Sequence, residues 1–327
     1  MNVWHHIIEI AARTPSPHNV QPWKFKIHNA EKATLYLDSK RTLPKEDITG
    51  SFITSAMGMM LEAIAIIAAN HKYKLSYNIV YDVNSALELI PFAELVLEED
   101  SSLNSEYDNN VFLHRRTSRL KYFNKPIAQH MLDNLSALTN MHGYEFGYTN
   151  KPDLIEKILN LNIRAVFEDL NDSNYHDEIE GYFRYTNKQS ERFKDGLDYK
   201  CMNMPKHEMF IGGKLPKLLM LPVIRKILFK IYRRRIGYVG CIGWISGKFW
   251  DTQNAVESGR MLISFWLEMA KHDLYFHPFG NLVTNKNAAR QVEKDLSKEN
   301  IWLIFKLGYS GTPPESLRLP LKELIIK

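Results

Sequence analysis

The sequence predicts an α+β layered fold with mixed or antiparallel sheets flanked by helices, rather than a doubly wound parallel sheet. Three observations carry this. Helical and strand periodicities are mixed without regular βαβ alternation, the first two strand-like runs read as a hairpin, and 327 residues suffice for one large unit or two fused ones. The composition, 45% hydrophobic and 24% charged, is that of an ordinary globular chain and excludes disordered or fibrous classes.

In chain order, Trp4, Ile7, Ile8 and Ala11 follow helical spacing, so a first helix spans about Val3 to Arg13 and stops at Thr14-Pro15, because a residue before proline avoids helical dihedrals. WKFKI and ATLYLD alternate as strands around an Asn29-Ala30-Glu31 turn. Phe52 to Ala69 reads as a long apolar helix whose Ser55, Ala56, Gly58 and Met59 allow close packing, and SYNIVYD and FAELVLEE read as strands. Glu99 to Asn110 is polar and turn-rich, the best internal boundary. A second cycle of elements follows. It has a helix through Ala128 to Leu138, a strand near Tyr144 to Tyr148, and helices over Leu154 to Leu170 and Asp177 to Lys194. Further on come a helix over Thr252 to Lys271 with Ala255, Leu262, Trp266 and Met269 inward, one near Ala288 to Leu296, and the strand IWLIFKLGY.

The charge is concentrated. Net charge is +5, yet Lys214, Lys217, Arg225, Lys226, Lys230, Arg233, Arg234 and Arg235 contribute eight positive charges with no acid between them, leaving the remainder near −3. One basic segment is not the footprint of a nucleic-acid binder, so no nucleic-acid partner is expected. In LPVIRKILFKIYRRR, Pro222 suits a first helical position, and Val223, Ile227 and Ile231 repeat beside the cations. Leu221 to Arg235 is therefore a candidate for peripheral contact with an anionic membrane; the alternative is a core helix with a solvated basic edge. The N-terminal residues lack signal-peptide features, no apolar run is long and uncharged enough to span a bilayer, and Cys201 and Cys241 form no disulfide framework or metal pattern. A cytoplasmic protein without a metal site is expected.

The chain has no G-x-G-x-x-G after a strand, no P-loop, no G-x-S-x-G elbow and no H-E-x-x-H. Three other stretches do carry chemistry: TPSPHNVQPWKF from Thr14, RRTSR from Arg115, and SLRLPLKEL from Ser316. Together they resemble the nitroreductase family of FMN-dependent oxidoreductases, whose members share PSxxNxQPW-F, R-x-[ST]-x-[RK] and S-x-R-x-P segments. Independently of the family, Arg115, Thr117 and Arg119 offer fork-shaped donors and a hydroxyl from one strip of chain, as a phosphate requires. Prolines fix the 15–23 segment so that amides and Ser/Asn side chains can meet the polar edge of a flat ring.

The resemblance implies that FMN is touched by Pro15, Ser16, Pro17 and Asn19, with Gln21, Pro22 and Trp23 shaping the loop. It implies a phosphate clamp of Arg115, Thr117, Arg119 and Arg318, weakened by one charge because Ser316 stands where a lysine is frequent. It also implies that backbone amides at Phe279 and Gly280 face the flavin. Family members are dimers with each flavin at the interface, the clamp preceding the proline loop in the chain. Here the order is reversed, which predicts two diverged halves, 1–110 and 111–327, packed as an internal dimer around one site. The family resemblance implies electrons passing from NADH or NADPH through FMN to a small acceptor such as a nitro compound or quinone, with no catalytic side chain required. The alternative is a catalytically silent FMN-sequestering protein, with the unplaced insertion at 214–247 as a lid. Oligomeric state is left open.

Overall fold

The computed structural model describes residues 2–219 and 221–327. The first half begins with α1, Val3–Ala11, capped by the Asn2 side chain, which accepts from Trp4 N at 3.1 Å. Its Trp4, Ile7, Ile8 and Ala11 are fully buried. After an irregular segment, β1 (Trp23–Ile27) and β2 (Lys32–Asp38) form the hairpin, turned where Asn29 Oδ1 accepts from the amides of Glu31 and Lys32. Alternation sets one face inward: Trp23, Phe25 and Leu35 are buried. Helix α2 (Ser51–Asn70) follows, its first turn held by the Asp47 carboxylate, which accepts from Phe52 N at 3.2 Å and Ile53 N at 2.8 Å. β3 (Tyr73–Ile79) and β4 (Leu89–Glu99) complete an antiparallel sheet in the order β1-β2-β4-β3.

In the second half come α3 (Asn109–His114), α4 (Gln129–Met141), β5 (Glu145–Thr149), α5 (Pro152–Asn171) and α6 (Ser173–Gly181). A small parallel ribbon, β6 (Phe183–Arg184) with β7 (Leu197–Asp198), brackets α7 (Asn187–Phe193). Then follow α8 (Lys206–Lys214), α9 (Pro216–Leu219), α10 (Pro222–Ile236), β8 (Ile242–Ser246), α11 (Thr252–Lys271), β9 (Tyr275–Pro278), α12 (Asn281–Thr284), α13 (Lys286–Leu296), β10 (Ile301–Gly308) and α14 (Leu321–Leu324). The second sheet, also antiparallel, runs β5-β8-β10-β9.

The continuous helix expected over Asp177 to Lys194 is broken. Arg184 is buried, donating to Asp195 at 2.6 Å and to the Gly181 carbonyl at 2.8 Å, and this pulls the chain out of the helix. Thr186 then opens α7 with a capping box to Gln189. Elsewhere the expected elements are present with ends shifted by a few residues.

The two sheets share one topology. In each, a 20-residue helix joins the second strand to the third and the fourth lies between them: α2 in the first half, α11 in the second. Their first residues, Ser51 and Thr252, are 201 positions apart. α2 and α11 pack together at the centre, where Ser55 Oγ and Ser258 Oγ lie 3.2 Å apart. α2 is long and apolar enough to cross a bilayer, but 78% of that window is buried within the protein against α1, β3 and α11. One core cluster runs from Trp4 to Leu324 and so belongs to both halves. A second, with Ile158, Ile163, Leu282 and Ile304, lies between the second sheet and α5, α12 and α13. The C-terminal arm then crosses back: Ile325 bridges Phe25, and Ile326 N donates to Phe25 O at 2.8 Å, lengthening the first sheet beyond β1.

Candidate functional site

The proline loop between α1 and β1 turns sharply. Pro17–Asn19 forms one 3₁₀ turn, and His18, Asn19 and Gln21 all have left-handed φ values of 45°, 55° and 53°. For residues other than glycine such a conformation costs about 1–3 kcal/mol each and persists only when the surroundings impose it. Gln21 does much of the imposing. Its buried amide group donates to Lys194 O at 2.9 Å and accepts from Leu319 N at 2.8 Å, while its backbone N–H donates to Ser16 Oγ at 3.0 Å. Asn19 Nδ2 donates to Leu317 O at 3.1 Å, so loop and C-terminal arm hold each other.

The arginine strip runs along the free edge of β9: Thr117 bridges Phe276, and Ser118 N donates to Phe276 O at 3.2 Å. The arm carries Arg318 to it, and α1 delivers Arg13. Arg115 Nη2 and Arg318 Nη2 both donate to Arg13 O, at 2.9 and 3.3 Å, and Arg115 stacks over the Trp266 ring at 4.3 Å. Arg119 Nη1 donates to Cys201 O at 3.2 Å. The result is a cavity of about 120 Å³ walled by five guanidinium groups, those of Arg13, Arg115, Arg116, Arg119 and Arg318. One carboxylate answers them: Glu315, paired with Arg13 and, at 3.2 Å, with Arg116.

Charge of one sign has thus been gathered and buried, and the groups register it. Burial and the neighbouring Arg318, Arg13 and Arg116 push the Arg115 pKa well below the usual guanidinium range, and burial with Arg13 lowers that of Arg318 to about 9. The Nε atoms of Arg115, Arg116, Arg119 and Arg318 are buried without a hydrogen-bond partner. Unpaired buried donors are costly, and a set this dense is suited to an anion with several acceptor oxygens. The one-charge shortfall expected from Ser316 is made up, since Arg13 and Arg116 bring two cations against the single carboxylate of Glu315. Ser316 Oγ accepts from Arg318 Nη1 at 2.6 Å, and Arg13 and Arg116 line the same pocket although neither is one of the fixed positions of the three motifs. Both were legible, Arg13 beside the proline loop and Arg116 inside RRTSR.

A larger cavity of about 390 Å³ continues from the first, sharing Pro15, Ser16, His18, Thr117 and Arg119 as common wall. Its inner side is apolar: Phe52, Met59, Leu262, Trp302 and Trp266, the last packed on Phe276 with ring centroids 4.0 Å apart. Its roof comes from Phe183, Leu197, Met202, Met204, Met209 and Tyr232. Among the described residues of 214–247, the lid of the alternative reading, only Tyr232 lines the cavity; most of the roof precedes them, because the break after Gly181 folds β6, β7 and the start of α8 over the cavity.

Polar groups sit at fixed points in this wall. The His277 ring lacks a partner at Nδ1, and burial, Arg119 and Lys306 hold it neutral with a pKa well below the usual imidazole value. Asn162 Oδ1 is likewise buried and unpartnered. Burial disfavours charge on both His18 and Glu46, but their mutual attraction and hydrogen bond outweigh it, raising the His18 pKa and lowering that of Glu46.

The structure brings all ten sequence-derived residues to these joined cavities. Pro15, Ser16, Pro17, Thr117, Arg119, Phe279 and Gly280 line the larger one, and Asn19, Arg115 and Arg318 line the smaller. One expectation changes. The Phe279 amide already donates to Ile304 O at 2.8 Å within the sheet end, so it is not available to a ligand; the Gly280 amide, at the start of α12, makes no hydrogen bond among the described residues.

No protein-family profile matches the chain, and no curated protein is similar to it. Solved structures similar to it include the FMN-dependent nitroreductase NfnB of Mycobacterium smegmatis in complex with NADPH, at 12% identity and TM-score 0.42, covering 65% of this chain and 94% of that one. A nitroreductase with bound FMN from Bacteroides fragilis is similar at 13% identity and TM-score 0.37, over 64% of this chain and 93% of that one. A BluB-like flavoprotein from Clostridium difficile is similar at 17% identity and TM-score 0.31, over 64% and 92% of the two chains.

Proposed function

We propose that the protein is an FMN-dependent oxidoreductase that takes electrons from NADH or NADPH and delivers them to a small acceptor such as a nitro compound or quinone. The observation that carries this is the joining of an acid-poor, five-arginine pocket to a larger, mainly apolar cavity across the proline loop. A phosphate monoester on a planar heterocycle matches both parts, and the orphaned guanidinium Nε atoms fit its oxygens. Arg115, Arg119, Arg318 and Thr117 hold the phosphate, with Arg13 and Arg116 adding field. Pro15, Ser16, Pro17 and Asn19 border the remainder.

FMN supplies the hydride and electron chemistry when bound. The chain positions it, keeps water from one side with the Met202, Met204 and Met209 roof, and holds a neutral imidazole at His277 and an unpaired amide oxygen at Asn162 toward the cavity. The repeated sheet topology and the reciprocal crossing of proline loop and C-terminal arm support reading the chain as an internal dimer with a single site.

The same roof favours a second reading, a flavin-holding protein closed to nicotinamide. Anaerobic addition of NADPH and then NADH to the purified protein decides between them. Bleaching of the visible flavin band supports the oxidoreductase. A yellow protein bleached only by dithionite supports the holder, and a colourless protein that rejects added FMN refutes both.

A further inference from the structure

The outward face of α10 is apolar where a solvated helix should be polar. Leu228, Phe229, Tyr232 and Ile236 pack inward on the α5 layer. Opposite them, Val223, Ile227 and Ile231, four residues apart and so stacked along one line, are 71%, 53% and 40% exposed. Beside this line stand Lys226, Lys230 and Arg234, all exposed and none in an ion pair among the described residues, whereas Arg233 and Arg235 are neutralised by Glu156 and Glu208. No acidic residue occurs between Glu208 and Asp251.

We propose that α10 docks flat on an anionic lipid bilayer, seating Val223, Ile227 and Ile231 at the acyl boundary with the three unpaired cations on the lipid phosphates. Charge complementarity selects this occupant. A second copy would bring one acid-free cationic run against another, and a nucleic acid would leave the apolar line in water. A single stripe on a 15-residue helix, about 22 Å long, is also small for a stable protein interface but sufficient for interfacial insertion, which needs one apolar line and flanking cations. Lys and Arg can lower their stems along the stripe while their heads remain at the phosphates. The surface alone carries this proposal, which holds whether or not the cavity takes FMN.

The test is co-sedimentation of the full chain with vesicles of phosphatidylcholine alone and of equimolar phosphatidylcholine and phosphatidylglycerol, in about 0.1 M salt so that only close contacts survive screening. Partition onto the anionic vesicles and not the neutral ones is expected. At about fivefold per cation, Lys226→Glu with Lys230→Glu should lower the partition coefficient more than tenfold. Ile227→Glu, at an exposed position, should lower it comparably with an unchanged melting temperature. Failure to sediment with anionic vesicles, or equal sedimentation with neutral ones, overturns the proposal. So does a dimer in sedimentation velocity that Ile227→Glu splits, which gives the face to a second copy.

Discussion

Gly58 and Gly259 occupy matching positions on the two central helices, and each lies against the backbone of the other helix. A Cβ on Gly58 would stand 2.2 Å from Val256 O, and one on Gly259 would stand 1.9 Å from Ser55 O. Ser55 and Val256 are themselves counterparts under the 201-residue repeat, so the contact is a pseudo-two-fold one made twice.

Alanine gains roughly 1 kcal/mol over glycine in a helix interior. Here the colliding atoms are backbone carbonyls that cannot swing aside, so α2 and α11 must separate, and overpacking of that kind costs about 1–3 kcal/mol. Gly58→Ala and Gly259→Ala should each therefore destabilise despite the propensity gain. The pair together should cost less than the sum, since one separation relieves both clashes. Urea titration of the two single variants and the double variant checks this; a stabilised single variant would refute the packing.

The arginine pocket predicts an inverse relation between stability and binding. Arg115 and Arg318 repel one another and Arg13 in the absence of an anion, so Arg318→Ala should leave the flavin-free protein at least as stable as the parent. The same change removes a charge-assisted phosphate contact of about 1.5–3 kcal/mol, a loss of roughly 10- to 100-fold in FMN affinity. Thermal melts with and without FMN, and fluorescence titration, read the two effects separately. A variant that melts lower without FMN yet binds it unchanged would make Arg318 structural only.

Much of this arrangement was legible before folding. Period-two runs gave both hairpin strands, Thr14-Pro15 gave the end of α1, and the Arg115, Thr117 and Arg119 spacing gave a one-sided strip. The roof was not, because it depends on a buried long-range pair: Arg184 leaves the helix for Asp195, and nothing in local periodicity distinguishes that arginine from a solvated one. The availability of the Phe279 amide was hidden for a similar reason. Its acceptor, Ile304, lies on β10, and the register of β9 against β10, which α12 and α13 separate in the chain, is not written in either strand alone. Arg13, by contrast, was legible from its place directly before the proline loop, and the packing of α1 carries it into the pocket.

Lys306 predicts a pH dependence of folding. It is fully buried in β10, donates to Leu120 O at 2.8 Å and lies 4.1 Å from the Tyr122 ring centroid; burial and Arg119 lower its pKa to about 7. The unfolded chain, with its lysine near 10.5, therefore binds more protons than the folded one between about pH 7 and 10. Stability of the flavin-free protein should rise with pH across that window, and Lys306→Met should flatten the rise. Urea midpoints at pH 7 and pH 9 measure it; an equal slope in both proteins would assign the dependence elsewhere.

The final prediction is one FMN per chain. If the halves were functionally equivalent, the first sheet would hold a second pocket at the place corresponding to the first. β9 has Thr117 bridging Phe276 at its free edge; its counterpart β3 has no such bridge among the described residues. The arm that supplies Arg318 is likewise made once, from the C-terminus onto β1, and the proline loop it meets occurs once, after α1. Each part that gathers positive charge is therefore present in a single copy, although the sheets and central helices are present in two. Flavin released by heat and quantified against protein should approach one equivalent after saturation and desalting. Two equivalents would mean that the duplication extends to the site, and would refute the single-pocket reading.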